Sequence, residues 1–374
     1  MTLACANLQK CICRRIFAEE YSQKIFAENI CRKNIRKNIR RRTLQWGEQM
    51  NRYEEIELQQ DLEQVEEYLS GYLRDPGYGS AVGQILRDME KSRGKRLRPR
   101  LLLMASRYGS EFRGSRNRLC RLGALVELVH MASLIHDDIV DDAPMRRGMP
   151  TTQSKYGKDM AVYAGDLILS RIVQSLFRDG FMRVGAYFGD TVEAMCLGEL
   201  GQMEYRGRED ITVEQYMSNI YGKTAALCRL ACVAGAVESG CSDEVTSQLE
   251  QLGLNFGYMF QIRDDLLDFV STAAEEGKPT QVDFREGIYT LPVIYAMQEE
   301  QFRSRINRLM QLAKKGSFGT KEEEELKALV VDSGGLSRAS ADMKKYAQKA
   351  MQAVENLPDH GVSTVFRELL RKNM

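Results

Sequence analysis

Apolar residues recur at intervals of three and four from about residue 50 to the carboxyl terminus. This spacing, which is that of one face of an α-helix, is present in DLEQVEEYLSGYL, ALVELVHMASLI and GDLILSRIVQSLF. The alternation typical of strands hardly occurs, and the 7 prolines are few for a chain of 374 residues. The sequence therefore predicts an all-α fold in which residues 50–374 form a single large helical domain.

Residues 1–49 differ from the rest of the chain. They contain eleven Lys or Arg and four Glu, a local net charge of +7, and include the repetitive stretch KIFAENICRKNIRKNIRRR. No apolar face suitable for packing is evident, so we predict a basic N-terminal extension that is disordered or outside the fold. A cytoplasmic location is expected, or a mitochondrial one if the extension is a transit peptide, although its glutamates and scarce serine disfavour the latter.

The overall composition excludes several classes of protein. A formal net charge of +1 gives no support for nucleic acid as a partner. We expect no apolar run to reach the roughly 20 residues of a membrane span, and therefore no transmembrane helix. The 9 cysteines are odd in number and scattered, which favours free thiols in a reducing compartment.

One helix carries an acidic stripe through apolar surroundings. Within LVHMASLIHDDIVDDAPMRRGMP, four aspartates fall in six residues at the end of an oily segment. At about 100° per residue, one polar stripe occupies about a third of the helix circumference. Unpaired carboxylates are costly to bury, so this stripe should line a cavity that holds water or cations. Its members are Glu127, His130, Asp137, Asp138 and Asp141.

The same pattern returns in GYMFQIRDDLLDF. Gln261, Asp264, Asp265 and Asp268 lie at i, i+3, i+4 and i+7, on one face of a second apolar helix. A single Asp-Asp-x-x-Asp cluster is more often a solvated acidic surface, but two copies on apolar helices favour a site. Facing clusters would repel one another without metal, and carboxylate oxygens favour Mg²⁺, which also binds substrate phosphates.

Basic residues next to these clusters indicate an anionic ligand. RGKRLRP precedes an apolar run, Arg146 and Arg147 follow the first cluster, and Lys223 and Lys278 follow glycines. Arginine forks and lysine charges beside magnesium are suited to holding diphosphates. Gly222-Lys223-Thr224 has neither the upstream glycine of a phosphate-binding P-loop nor a preceding strand, so a nucleotide hydrolase is excluded.

With these motifs the chain resembles the polyprenyl synthetase family of trans-isoprenyl diphosphate synthases, and in particular bacterial medium- and long-chain enzymes. The resemblance covers about residues 60–374. It rests on GKRLRP, LVHMASLIHDDIVDDAPMRRGMPT, AGDLIL, GELGQ, GKTAAL, FQIRDDLLDF and GKPTQVDFREGIYTLPVI, in that order. It implies the isoprenoid synthase fold, an α-helical bundle around a deep central cavity, and a homodimer. It also implies peripheral membrane contact for product release.

The resemblance also implies a reaction: head-to-tail condensation of an allylic prenyl diphosphate with isopentenyl diphosphate, with Mg²⁺ as cofactor. Isopentenyl diphosphate contacts are then expected at Lys95, Arg98, His130 and Arg147. Allylic diphosphate contacts are expected at Arg146, Lys223, Thr224, Gln261 and Lys278. Mg²⁺ ligands are expected at Asp137, Asp141 and Asp264, supported in catalysis by Asp138, Asp265, Asp268 and Lys223.

Product length is expected to depend on the side chains below the first cluster. By resemblance, the deciding positions are Ala132 and Ser133, the fifth and fourth residues before Asp137. Short-chain enzymes often have an aromatic residue there, so small residues suggest an all-trans product longer than farnesyl or geranylgeranyl diphosphate. The alternative is that both residues only allow close helix packing, in which case a short-chain product remains open.

Three other functions compete with this interpretation. A class I terpene cyclase normally has an Asn/Ser/Glu second metal motif, and here that motif is Asp264-Asp265-x-x-Asp268. Head-to-head condensation of two prenyl diphosphates would not need Lys95 and Arg98. A catalytically limited subunit of a heteromeric synthase typically lacks the aspartates, and none is missing.

Overall fold

A computed structural model describes residues 54–75, 77, 80–91, 94–270 and 281–374. Residues 56–374 form one compact unit. The predicted boundary at residue 50 lies outside the described residues and stays a prediction, as do the proposals for the basic extension. Lys278 also lies outside the described residues.

The described part of the chain is almost entirely helical, which confirms the all-α prediction. Its only strands are β1 (Met145–Arg146) and β2 (Met149–Pro150), a short antiparallel pair. A π-helical segment, Tyr221–Ala225, joins α8 to α9. The α-helices are α1 (54–72), α2 (Ser80–Lys91), α3 (Leu97–Ser106), α4 (Phe112–Val140), α5 (Thr152–Tyr156), α6 (Lys158–Arg178), α7 (Met182–Glu204), α8 (Val213–Ile220), α9 (Ala226–Glu238), α10 (Asp243–Val270), α11 (Val282–Arg285), α12 (Leu291–Met297), α13 (Glu300–Lys314), α14 (Thr320–Asp332), α15 (Gly335–Glu355) and α16 (Gly361–Lys372).

Helix α4 is central to the bundle because neighbours cover it on several sides. It packs against α3, α6 and α9, and a continuous run from Leu122 to Val129 is buried. Helix α10 packs most extensively against α9 and α15. The two aspartate-bearing helices are therefore fixed by a shared neighbour, α9, and each ends in its acidic cluster.

Three helical stretches in the described residues are long and apolar enough to cross a membrane, judged by length and composition alone. They are Phe112–Val140, Lys158–Arg178 and Val213–Glu238. This corrects the expectation that no segment is apolar over a sufficient length. The most apolar windows of the first and third are 72% and 78% buried inside the protein, whereas that of Lys158–Arg178 is 39% buried. A helix surrounded by other helices needs apolar residues all round, so the first and third fit the bundle core.

Candidate active site

The first aspartate cluster lies at the C-terminal end of α4. Asp137 is half-buried and Asp141 is exposed, one turn apart on one face. Asp138 is 5% exposed, and its Oδ1 accepts a hydrogen bond from Arg146 Nε at 2.7 Å. The structure therefore divides the predicted cluster into a pair on one face and a third carboxylate held by an arginine.

A tight hairpin follows this cluster. Arg146 pairs with Met149, which leaves Arg147 and Gly148 as a two-residue turn in which both φ angles are positive. A Cβ atom added to Gly94 would lie 2.8 Å from an Nη atom of Arg147, so the guanidinium group of Arg147 lies close to the backbone of Gly94. The hairpin thus brings Arg147 against the start of the GKRLRP segment.

A cavity of about 160 Å³ lies between this hairpin and α4. Burial lowers the pKa of His130 well below its ordinary value, and the charges of Arg98, Arg147, Arg146 and Arg96 lower it further. The imidazole is therefore neutral within a strongly positive environment, which would attract an anion. Arg98 and Arg147 therefore lie close to His130, whereas Lys95 is an exposed residue of the loop that precedes α3. The cavity lining includes Arg96, Glu127, His130, Asp138, Arg146 and Arg147.

The second cluster, on α10, contains three aspartates in different environments. Asp265 is 4% exposed and accepts hydrogen bonds from Tyr216 Oη at 2.6 Å and Gln261 Nε2 at 2.9 Å. Asp264 is exposed and pairs with Arg263 Nη2 at 2.9 Å. Asp268 Oδ1 accepts from the backbone N–H of Gln281 at 2.8 Å. Asp265, predicted only to support metal binding, is therefore the most deeply buried of the three.

Gln261 is held in turn by the π-helical segment. The hydroxyl of Thr224 donates to Gln261 Oε1 at 2.6 Å, which extends the hydrogen-bonded chain to Asp265 and Tyr216. Each polar group in this chain is oriented by its neighbour. The predicted residues Thr224 and Gln261 are thus rigidly connected to the second cluster.

Lys223 projects from the same segment. Its side chain is exposed to solvent although protein surrounds it closely, as expected for a side chain in a deep cleft. Burial lowers the pKa of Lys223, but nearby carboxylates outweigh this and raise it above its ordinary value. The ammonium is therefore charged. In order of effect, these carboxylates are Asp283, Glu199, Asp265 and Asp137.

Lys223 lies close to both aspartate clusters, which therefore face one cleft. Burial raises the pKa of Asp137 to about 7, with a further increase from Glu199 and a decrease from Lys223. Burial likewise raises the pKa of Asp265 to about 7, with an increase from Asp283 and a decrease from Lys223. Because one ammonium acts on a carboxylate from each cluster, the α4 and α10 faces point toward a common space.

This space suits a hard cation bound together with a phosphorylated ligand. Among the described residues, no three His, Cys, Asp or Glu side chains form a ready-made set of metal ligands. Mg²⁺, however, usually takes only one or two carboxylates and completes its shell with water and phosphate oxygens. Carboxylates on both walls, two of them with pKa values raised to about 7, fit such an ion.

Comparison with known proteins gives the family. The sequence model described as polyprenyl synthetase matches residues 80–331. The chain belongs to the polyprenyl synthetase family. It is 32% identical over 316 residues to heptaprenyl diphosphate synthase component 2 of Geobacillus stearothermophilus, which covers 83% of this chain and 94% of that protein. The resemblance found in the motifs is therefore confirmed, and the protein is a trans-prenyltransferase.

Solved structures of polyprenyl synthetases have the same fold. A decaprenyl diphosphate synthase from Rhodobacter capsulatus is 30% identical with a TM-score of 0.77, covering 87% of this chain and 98% of that one. A geranylgeranyl pyrophosphate synthase from Corynebacterium glutamicum, complexed with calcium and isoprenyl diphosphate, is 26% identical with a TM-score of 0.70, covering 85% and 95%. The isoprenoid synthase fold is confirmed.

Several charged residues of this polyprenyl synthetase site were not predicted from the sequence. Glu199 and Asp283 act on Lys223 from α7 and α11. Arg206 Nη2 lies 3.9 Å from Asp141 and 3.9 Å from Glu286. Glu199 and Asp283 occur within the recognised motifs GELGQ and VDFREG, but neither belongs to an aspartate cluster. Only the approach of α7 and α11 to the cleft reveals them.

Proposed function

We propose that this protein catalyses Mg²⁺-dependent, head-to-tail condensation of an allylic prenyl diphosphate with isopentenyl diphosphate, giving an all-trans polyprenyl diphosphate. The observation that carries the proposal is the position of Lys223 between carboxylates of both aspartate helices. The cleft has acidic walls and a charged lysine. The cavity of about 160 Å³ lined by Arg96, Arg146 and Arg147, called here the arginine-rich cavity, adds further positive charge. Together they have the groups needed to bind two diphosphates. Membership of the family supports the same reaction.

Isopentenyl diphosphate would bind in the arginine-rich cavity. Arg98 and Arg147 provide charge there, the neutral His130 provides a hydrogen bond, and Lys95 adds an ammonium from the adjacent loop. A protonated imidazole among four guanidinium groups would be unfavourable, so His130 acts as a neutral donor or acceptor. Its role is to orient the substrate.

The allylic diphosphate would bind beside Lys223 and Thr224. Gln261 fixes the Thr224 hydroxyl, and Arg146, which is held by Asp138, is close enough to Asp137 to lower the pKa of that carboxyl. Lys278 is proposed for this site on the motif alone. These cations stabilise the negative charge that develops on the departing diphosphate when the allylic C–O bond breaks.

Magnesium would be held by Asp137, Asp141 and Asp264, with Asp138, Asp265 and Asp268 in support, and when bound it supplies positive charge to the diphosphate. The double bond of isopentenyl diphosphate then attacks the allylic cation. The proton lost afterwards goes to the diphosphate that has left. Apolar side chains of α4 exclude water from the cation.

We propose a product longer than geranylgeranyl diphosphate. Ala132 and Ser133 below the first cluster are both small, and Ser133 is only half-buried. The relatives named above include a heptaprenyl and a decaprenyl synthase, but also a geranylgeranyl synthase. A short-chain product is therefore the alternative that product analysis must test.

We also propose a homodimer with a cytoplasmic location. Support for the dimer comes from exposed apolar side chains on α6 and α7, and support for the location from free thiols among the described cysteines. The Geobacillus relative is named as one component of a synthase, so a second kind of subunit is the alternative partner.

The deciding experiment incubates the purified full-length protein with Mg²⁺, labelled isopentenyl diphosphate and farnesyl diphosphate. Elongated prenyl diphosphates are expected, and their chromatographic length gives the product. A cyclic hydrocarbon would instead indicate a terpene cyclase. Absence of any product would contradict the proposal for the isolated chain and favour a subunit that is inactive without a partner.

A further inference from the structure

Arg96 is a buried residue that lies, in the sequence, between Lys95 and Arg98, the two residues proposed above to bind substrate. It is 8% exposed and has a left-handed backbone conformation, with φ 50° and ψ 37°, immediately before α3. This conformation is unfavourable for a residue with a side chain and persists only where the surroundings fix it. Something must therefore hold the chain at this point.

Two glutamates hold the Arg96 guanidinium. Its Nη1 donates to Glu127 Oε1 of α4 at 2.9 Å, and its Nη2 donates to Glu66 Oε2 of α1 at 3.1 Å. Nε also donates to Glu66. All three nitrogens are thus bound to carboxylates, and the positive charge is neutralised within the protein. The Arg96 side chain therefore anchors this segment to α1 and α4.

The anchor lies at the edge of the arginine-rich cavity. Glu127 is one helical turn before His130, and the charge of Arg96 contributes to the lowered pKa of His130. On the other side, Gly94 contacts the guanidinium of Arg147. The bend at Arg96 therefore sets where Lys95 and Arg98 stand relative to His130 and Arg147.

We propose that Arg96 is a positioning residue for isopentenyl diphosphate: held by Glu66 and Glu127, it fixes the bend that aligns Lys95 and Arg98 with His130 and Arg147. This inference rests on the proposed function of the cavity. It assigns no substrate contact to Arg96 itself. The alternative is that Arg96, which lines the cavity, binds phosphate directly.

The chain contains a matched control for general structural effects. Arg107, at the other end of α3, is 5% exposed and pairs with Glu57 at 3.0 Å and Asp61 at 3.2 Å on α1. It does not line the cavity. Replacing Arg107 by Met also removes a buried arginine with two carboxylate partners, here both on α1, so it controls for a general loss of stability without a change at the bend.

The experiment compares Arg96→Met, Arg96→Lys, Glu127→Gln and Arg107→Met in the full-length protein. Steady-state kinetics in Mg²⁺ give KM for isopentenyl and farnesyl diphosphates separately, and calorimetry gives isopentenyl diphosphate binding without turnover. We expect Arg96→Met and Glu127→Gln to raise the KM for isopentenyl diphosphate about 10-fold, with the KM for farnesyl diphosphate and kcat within about 3-fold. Arg96→Lys should restore part of the loss, and Arg107→Met should leave both KM values unchanged.

The sign of the Glu127→Gln effect separates positioning from direct phosphate binding. Loss of a carboxylate that holds Arg96 would free the guanidinium for phosphate, so a direct contact predicts an equal or lower KM. That result, or kinetics of Arg96→Met that match Arg107→Met, would overturn the proposal. If Arg96→Met does not fold, Arg96→Lys and Glu127→Gln carry the test. A wild-type protein that neither binds nor elongates isopentenyl diphosphate would instead overturn the proposed function, and this inference with it.

Discussion

Asp265 shows the cost of assembling this cleft at the scale of a single residue. Burial raises its pKa to about 7, and Asp283 adds repulsion, while Tyr216 and Gln261 compensate only in part. In the unfolded chain the pKa of an aspartate is about 3.9. The folded protein therefore binds an extra proton between about pH 4 and pH 7, so its stability falls as the pH rises through this range.

Asp265→Asn should remove this pH dependence. Without Mg²⁺ we expect the variant to be more stable than wild type above pH 7, by an amount on the order of a few kcal/mol, with the difference vanishing near pH 4. Urea unfolding of both proteins in EDTA across this pH range measures the difference. Asp359→Asn, a change at an exposed carboxylate, is the control. A difference that is independent of pH would show that Asp265 is already ionised in the folded protein.

Ser133 and Ala132, the two positions proposed to set product length, differ in burial. Ala132 is 0% exposed within the core, whereas Ser133 is half-buried and its hydroxyl donates to the His130 carbonyl at 3.0 Å. We expect either change to Phe to shorten the product, and Ala132→Phe also to destabilise the protein by about 1 to 3 kcal/mol through overpacking. A labelled elongation assay and thermal unfolding measure the two effects. Unchanged chain length in both variants would favour the interpretation that these residues only allow helix packing.

At the scale of elements, the π-helical segment owes its position to Gly222. A Cβ atom at Gly222 would lie 2.3 Å from the carbonyl oxygen of Ala194 on α7. We expect Gly222→Ala to destabilise the protein by about 2 kcal/mol and to displace Lys223, since backbone atoms cannot yield as side chains do. Circular dichroism melting and kcat test both effects. Gly185→Ala, on α7 with no atom within 4 Å of the added Cβ, should be neutral or stabilising.

The sequence was sufficient to predict which site residues share one face of a helix, because this depends only on their spacing. Asp137 and Asp141 share a face because they are one turn apart, and the i, i+4 pair Gln261 and Asp265 is indeed hydrogen-bonded. Glu199 could not be found in this way, because its relation to Lys223 comes from the packing of α7 against the π-helical segment. Arg96 was hidden for a different reason: spacing does not reveal which of several neighbouring basic residues turns inward.

At the scale of the whole molecule, the apolar surface is distributed unevenly. Helices α4 and α9 are covered, whereas α6 exposes Tyr163 by 73% and Phe177 by 67%, and α7 exposes Leu197 by 62% and Leu200 by 61%. Large apolar side chains repeated along two consecutive helices are typical of an interface between subunits. The same feature explains why Lys158–Arg178 qualifies by composition as a membrane span but is only 39% buried in its most apolar window.

This surface predicts the oligomeric state. If two copies associate through α6 and α7, the contact is repeated by symmetry, so one charged substitution introduces two unfavourable groups into the interface. We expect Phe177→Asp and Leu197→Asp each to convert a dimer into a monomer in light scattering coupled to gel filtration. Val331→Asp, at an apolar residue of α14 that is 51% exposed, should leave the dimer intact. A wild-type protein that is monomeric alone would contradict the homodimer, and the same surface would then be tested for a different subunit.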